Sequence, residues 1–183
     1  MNRQEFKIMG TGSRSMRTDP NNQQVFRVLC AFLEMMVDQL SRYNIVLVSG
    51  MAEGWDEAIA KAALRLGLPY DVVIPTKDYG NYYWRRHSVM GIDRGGVYQL
   101  LVAQARNIIH LEDIYGDPVM TNRGPLYNGV HANFARNQVM VDMSQHALVY
   151  KPQSSGTRDC VGKLITAQVP YDVYPFDLQE TLF

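Results

Sequence analysis

Three apolar runs in this chain are each followed by a glycine-bearing segment and then by a helical pattern. Phe6-Lys7-Ile8-Met9 leads into Gly10-Thr11-Gly12-Ser13-Arg14, and Ile45-Val46-Leu47-Val48 into Ser49-Gly50-Met51-Ala52-Glu53-Gly54-Trp55-Asp56. Ala147-Leu148-Val149-Tyr150 is followed by Ser154-Ser155-Gly156-Thr157. A wholly apolar run is the signature of a strand buried on both faces of a parallel sheet. Strand, glycine turn and helix also place backbone N–H groups and a helix N-terminus opposite an anion, usually a phosphate. A fourth segment, Ala135-Arg136-Asn137-Gln138-Val139-Met140, lies inside a helical pattern and adds an arginine.

The spacing along the chain extends this pattern. Apolar residues at Val25, Val28, Leu29, Phe32, Leu33, Met36, Val37 and Leu40 predict an amphipathic helix, with Asp19 as N-cap and Pro20 at its first position. Asp56 to Leu66 is an Ala-rich helix stopped by Gly67, and Tyr70 to Pro75 reads as the next strand. Strand–helix–strand–helix–strand argues for an α/β, doubly wound and mainly parallel sheet with helices on both faces. A helical pattern runs from about Tyr82 to Ala105, beginning near the aromatic cluster Tyr79, Tyr82, Tyr83 and Trp84. Asn107 to Leu111 reads as a strand, while Glu112 to His131 shows no period and reads as a lid, a binding loop or disorder. Helices over Asn133–Met143 and Thr157–Gln168 and a strand over Tyr171–Tyr174 complete the chain. The 183 residues are expected to form one domain, 1–183, with no repeat or linker.

Composition narrows the function classes. Lys+Arg and Asp+Glu are both 18, so there is no global basic field, and neither nucleic acid nor an anionic membrane is an expected partner. Cys30 and Cys160 are isolated, and Met1-Asn2-Arg3-Gln4-Glu5 is no signal peptide, so the reducing cytoplasm is the expected location. His87, His110, His131 and His146 lack metal-ligand spacing, and neither a P-loop nor a G-x-S-x-G elbow is present. No metal and no cofactor is expected. The apolar surface of the 82–105 helix exceeds what one sheet face covers, which argues for a homo-oligomer, with intramolecular core as the alternative.

The candidate chemistry lies in the four segments. Gly10 and Gly12 permit close backbone approach, Ser13 adds a hydroxyl, and Arg14 adds a guanidinium that grips phosphate. The plainer alternative is a tight turn with a solvated arginine. Asp56 suits a helix cap, a ribose contact or a general base, and Glu53 offers a second carboxyl beside it. Ser154, Ser155, Gly156 and Thr157 suit either a phosphate nest or an ordinary N-cap. Arg136, next to Asn137, either neutralises a ligand's charge or snorkels beside the apolar face of its helix. The ligand-binding set is therefore Gly10, Thr11, Gly12, Ser13, Arg14, Ser49, Gly50, Met51, Glu53, Gly54, Asp56, Arg136, Asn137, Ser154, Ser155, Gly156 and Thr157. Glu53 and Asp56 are the candidate catalytic pair.

In order and spacing these segments resemble the SLOG superfamily, the DprA/Smf–LOG group, and are most similar to its small stand-alone YspA- or YpsA-like members. The resemblance covers about three quarters of the chain. It implies a Rossmann-like fold, frequent homo-oligomers and a small nucleotide-type ligand such as a nucleoside monophosphate or an ADP-ribose derivative. LOG enzymes carry Pro-Gly-Gly-x-Gly-Thr-x-x-Glu with a catalytic final Glu. This chain reads Pro152-Gln153-Ser154-Ser155-Gly156-Thr157-Arg158-Asp159-Cys160, with Cys160 in place of that Glu. The expectation is therefore binding of a nucleotide or nucleotide-derived signal by sensing or sequestration, as in viral anti-defence. A LOG-like N-glycosidic hydrolase and a non-catalytic oligomeric scaffold are the alternatives.

Overall fold

A computed structural model describes residues 3–80 and 93–177. Its main element is a six-stranded sheet in the order β4-β3-β2-β1-β8-β9, every neighbouring pair parallel. The strands are β1 (Glu5–Gly12), β2 (Asn44–Ser49), β3 (Tyr70–Ile74), β4 (Asn107–His110), β8 (His146–Tyr150) and β9 (Tyr171–Val173). The helices are α1 (Asn22–Gln39), α2 (Trp55–Leu66), α3 (Arg94–Ala103), α4 (Leu111–Tyr115), α5 (Ala132–Asp142) and α6 (Ser155–Thr166). This is the expected α/β, Rossmann-like arrangement.

Alternation along the strands builds two cores. Ile8, Leu47, Val72 and Leu148 face one cluster with Leu29 and Leu33 of α1 and Trp55 and Ile59 of α2. Met9, Val48, Val73 and Val149 face the other, with Met140 and Val141 of α5 and Cys160 and Leu164 of α6. Wholly apolar runs are what a sheet covered on both sides requires. The chain leaves β1 toward β2, β3 and β4, then returns to place β8 on the opposite side of β1. Among the described residues no helix is long and apolar enough to cross a membrane.

Three expectations need correction. The first strand does not stop at Met9, because Gly10, Thr11 and Gly12 pair with Leu148, Val149 and Tyr150 of β8. A Cβ on Gly10 would lie 2.2 Å from Ile59, and one on Gly12 2.6 Å from Trp55, so these glycines admit α2 against the strand. Asp19 does not cap α1. The cap position is Asn21, and Asp19 accepts hydrogen bonds from the Asn21 N–H, the Tyr150 hydroxyl and Lys151.

Residues 112–131 are ordered. After α4 they form a three-stranded antiparallel sheet of β5 (Val119–Thr121), β6 (Gly124–Tyr127) and β7 (Val130–His131). Asn128 and Gly129, with φ of 50° and 81°, supply the two-residue turn between β6 and β7. Of the helix expected over 82–105, the described part is α3 from Arg94 to Ala103. Its earlier part, with Tyr82, Tyr83, Trp84 and His87, lies outside the described residues.

Candidate functional site

A cleft of about 480 Å³ opens at the C-terminal ends of β1 and β8, where the strand order reverses. Open α/β sheets place their ligand sites at such switch points. The lining takes Thr11 and Gly12 from the end of β1, with Ser13 and Arg14 from the turn that follows. It adds Asp56 of α2, Arg136 and Asn137 of α5, and Ser154, Ser155, Gly156 and Thr157 at the start of α6.

Local hydrogen bonds fix these groups. The Ser13 N–H donates to the Tyr150 carbonyl at 3.0 Å, which ties the turn after β1 to the end of β8. Gly54 sits at φ 91°, and a Cβ there would lie 2.8 Å from the Arg14 Cα, so the β2–α2 loop packs on this backbone. The Ser49 hydroxyl donates to the Asp56 carbonyl at 2.7 Å and accepts from the Met51 N–H. On α6, the Ser154 hydroxyl accepts from the Thr157 N–H at 3.2 Å. The capping role therefore holds, and Ser155 and Gly156 add the first-turn N–H groups that an α-helix leaves without internal partners. Asn137 joins α5 to this end by donating to the Gly156 carbonyl at 3.1 Å and to Asp159 at 3.0 Å.

Arg136 is buried rather than snorkelling. It donates to the Gly50 carbonyl at 2.9 Å and to Asn137 at 3.3 Å, and lies 4.0 Å from the Asp56 carboxylate. Its Nε is buried without a hydrogen-bond partner among the described residues. Burial pushes the Asp56 carboxyl up to about 6, against the pull of Arg136, the Ala52 N–H and Arg14. Tyr79 lies near the same charges, and burial raises its phenol as well. The cleft thus combines two arginines, a helix N-terminus and a carboxyl that holds its proton up to mildly acid pH.

Gly10, Ser49, Gly50, Met51, Glu53 and Gly54 are not among the lining residues; they lie behind or beside it. Glu53 is the largest departure from expectation. Its buried carboxylate pairs with Arg17 at 2.8 Å and Arg94 at 3.3 Å, clamping the turn after β1 and the start of α3 to the β2–α2 loop. Of the two candidate carboxyls, Asp56 lines the cleft and Glu53 does not. Cys160 is fully buried, and that burial raises its thiol to about 11. Ala52, His131, Asn133 and Phe134 also line the cleft, and none of them was in the expected ligand-binding set. The histidine immediately before the α5 pattern was the available signal. Its Nδ1 accepts the Asn133 N–H at 3.2 Å and caps the helix.

The raised Asp56 value has a sign that unfolding measures. Above the ordinary 3.8, the folded protein holds the proton more tightly than the unfolded chain. The contribution is present at acid pH, below the ordinary value, and is lost as pH rises through about 6. Asp56→Asn, which cannot ionise, is expected to gain up to about 3 kcal/mol over wild type between acid and mildly alkaline pH. Urea unfolding across that range checks it, and a constant difference would contradict the raised value.

The fold matches that of DprA from Streptococcus pneumoniae with a TM-score of 0.60 at 18% identity, over 96% of this chain and 52% of that one. DprA from Helicobacter pylori, described for its single-stranded DNA binding mode, gives 0.59 at 21% identity, over 96% and 68%. A molybdenum cofactor binding protein from the phototrophic bacterium Rippkaea orientalis gives 0.50 at 16% identity, over 94% and 77%. The chain spans about half the length of the Streptococcus pneumoniae protein. These likenesses are of fold alone, and the shared fold is the mainly parallel α/β arrangement described above. No protein-family model and no curated protein matches the chain.

Proposed function

We propose that the chain, as one ligand-binding domain over residues 1–183, holds a nucleotide or a nucleotide-derived signal such as an ADP-ribose derivative. The reading rests on one observation: Thr11 to Arg14, the N-terminus of α6 and buried Arg136 converge on a single cleft. Phosphate is the ligand group best matched to first-turn N–H groups beside a guanidinium. Asp56 lines the same cleft 4.0 Å from Arg136, which supports a contact from its carboxyl to a ribose hydroxyl. The zero net charge favours a small ligand over a nucleic-acid strand.

Isothermal calorimetry with nucleoside 5′-monophosphates and ADP-ribose tests the reading. Arg14→Ala removes a charge-assisted contact worth about 1.5–3 kcal/mol, an expected loss of roughly one to two orders of magnitude in affinity. Unchanged affinity would remove Arg14 from the site.

Hydrolysis of the N-glycosidic bond is the second reading, favoured by Asp56, which lines the cleft and is raised to about 6, so that it exchanges a proton at mildly acid pH. Base release by wild type at about 1 s⁻¹ or faster, abolished in Asp56→Asn, would establish it over simple binding. A homo-oligomer completes the proposal. Light scattering should give a mass above the 20.8 kDa of one chain, and a monomer at micromolar concentration would exclude it.

A further inference from the structure

Resting on that reading, we propose that the α5 edge of the cleft, with Phe134 at its centre and His131 beside it, is the surface that selects a planar heteroaromatic ring. The ligand class is then a nucleotide rather than a sugar phosphate. Phe134 is the one large aliphatic or phenyl side chain among the described lining residues, which are otherwise small, polar or charged apart from the His131 ring. It takes no part in the hydrophobic core beneath α5, although Ala132, Ala135 and Met140 of the same helix do. A half-buried phenyl ring that faces a cleft and leaves its helix's core unserved presents apolar surface to whatever enters.

Its surroundings hold it in place. The His131 ring lies 5.9 Å from the Phe134 ring at 56°, and the Lys163 ammonium lies 5.8 Å from the Phe134 centroid. His131 is itself fixed twice, by capping α5 through Nδ1 and by its pairing with Leu126 in the small antiparallel sheet. That sheet, in which a Cβ on Gly124 would lie 3.0 Å from the His131 Nε2, thereby acquires a role in positioning the aromatic edge. Anion-binding groups come from β1 and α6, aromatic groups from the start of α5, and one cleft contains both. A nucleotide divides in the same way, into a charged phosphate and a flat apolar base.

Calorimetry with each nucleoside 5′-monophosphate, ADP-ribose and base-free ribose 5-phosphate tests this. At least one base-bearing probe should bind wild type roughly tenfold or more tightly than ribose 5-phosphate, the usual effect of one stacked base. Phe134→Ala should remove that advantage and leave ribose 5-phosphate affinity within about twofold, whereas Phe134→Tyr should retain it. Phe134→Leu, which keeps apolar bulk but no ring, repeats the test if the alanine variant fails to fold. Equal loss for both kinds of probe, or no loss for either, overturns the aromatic edge while leaving the phosphate reading intact. An absence of heat with every probe overturns the phosphate reading and this proposal with it.

Discussion

Trp55→Ala is expected to lower the unfolding free energy by about 3–5 kcal/mol, the largest loss of any single change considered for this fold. The indole is fully buried at the start of α2. It stacks on Tyr150 with ring centroids 5.0 Å apart at 12°, and its N–H donates to the Leu148 carbonyl at 2.9 Å. Phe176 and Tyr174 pack at its edges, and Gly12 leaves the space that it fills. Truncation opens a cavity between β1, β8 and α2 and deprives a carbonyl of its donor. Trp55→Phe keeps most of the packing and should cost less, with the lost hydrogen bond accounting for about 1 kcal/mol. Urea unfolding followed by far-ultraviolet circular dichroism checks both. A loss below about 1 kcal/mol in the alanine variant would show that the stack does not anchor α2.

Arg136→Ala is expected to cost about 3 kcal/mol at mildly alkaline pH, because removing one partner of a buried charge pair strands the other. The stranded groups are the Asp56 carboxylate and the Gly50 carbonyl. The cost has a pH sign. Without the nearby guanidinium the Asp56 carboxyl titrates above about 6, so at acid pH it is neutral and the penalty shrinks. Arg136→Lys retains the charge but not the planar fork, and should fall between wild type and alanine in stability. Unfolding of both variants at acid and alkaline pH distinguishes this from a packing defect, which would be equal at the two. Anion binding should weaken in both variants, because Arg136 lines the cleft.

Much of the frame was legible in the sequence. The apolar runs at 45–48 and 147–150 became buried strands, because a sheet covered on both faces leaves no place for polar alternation, and 70–74 did so too with its one polar residue, Asp71, paired to Lys7 and Arg106. The Ser154 cap was legible too, since a hydroxyl three residues before an N–H is a local signal. The extension of β1 through Gly12 was not. Two glycines lower strand propensity, and the reason for them, the α2 side chains Ile59 and Trp55, comes from more than forty positions away in the chain. Glu53 was misleading for the same reason, its partners Arg17 and Arg94 being 36 and 41 residues distant. Asn128-Gly129 was a readable hairpin signal, obscured by the density of Gly and Pro around it. The aromatic edge at His131 and Phe134 was marked in the sequence only by the histidine before the α5 pattern, because only the return of β8 beside β1 sets α5 against the cleft.

Backbone amide chemical shifts of the isotopically labelled protein, followed during titration with nucleoside 5′-monophosphates and ADP-ribose, test the central claim most directly. Phosphate seated at the switch point should move the amides of Gly12, Ser13, Ser155 and Gly156 most, with saturation in step across all four. Saturable binding that leaves those amides unmoved, or the absence of any shift at millimolar ligand, would contradict it.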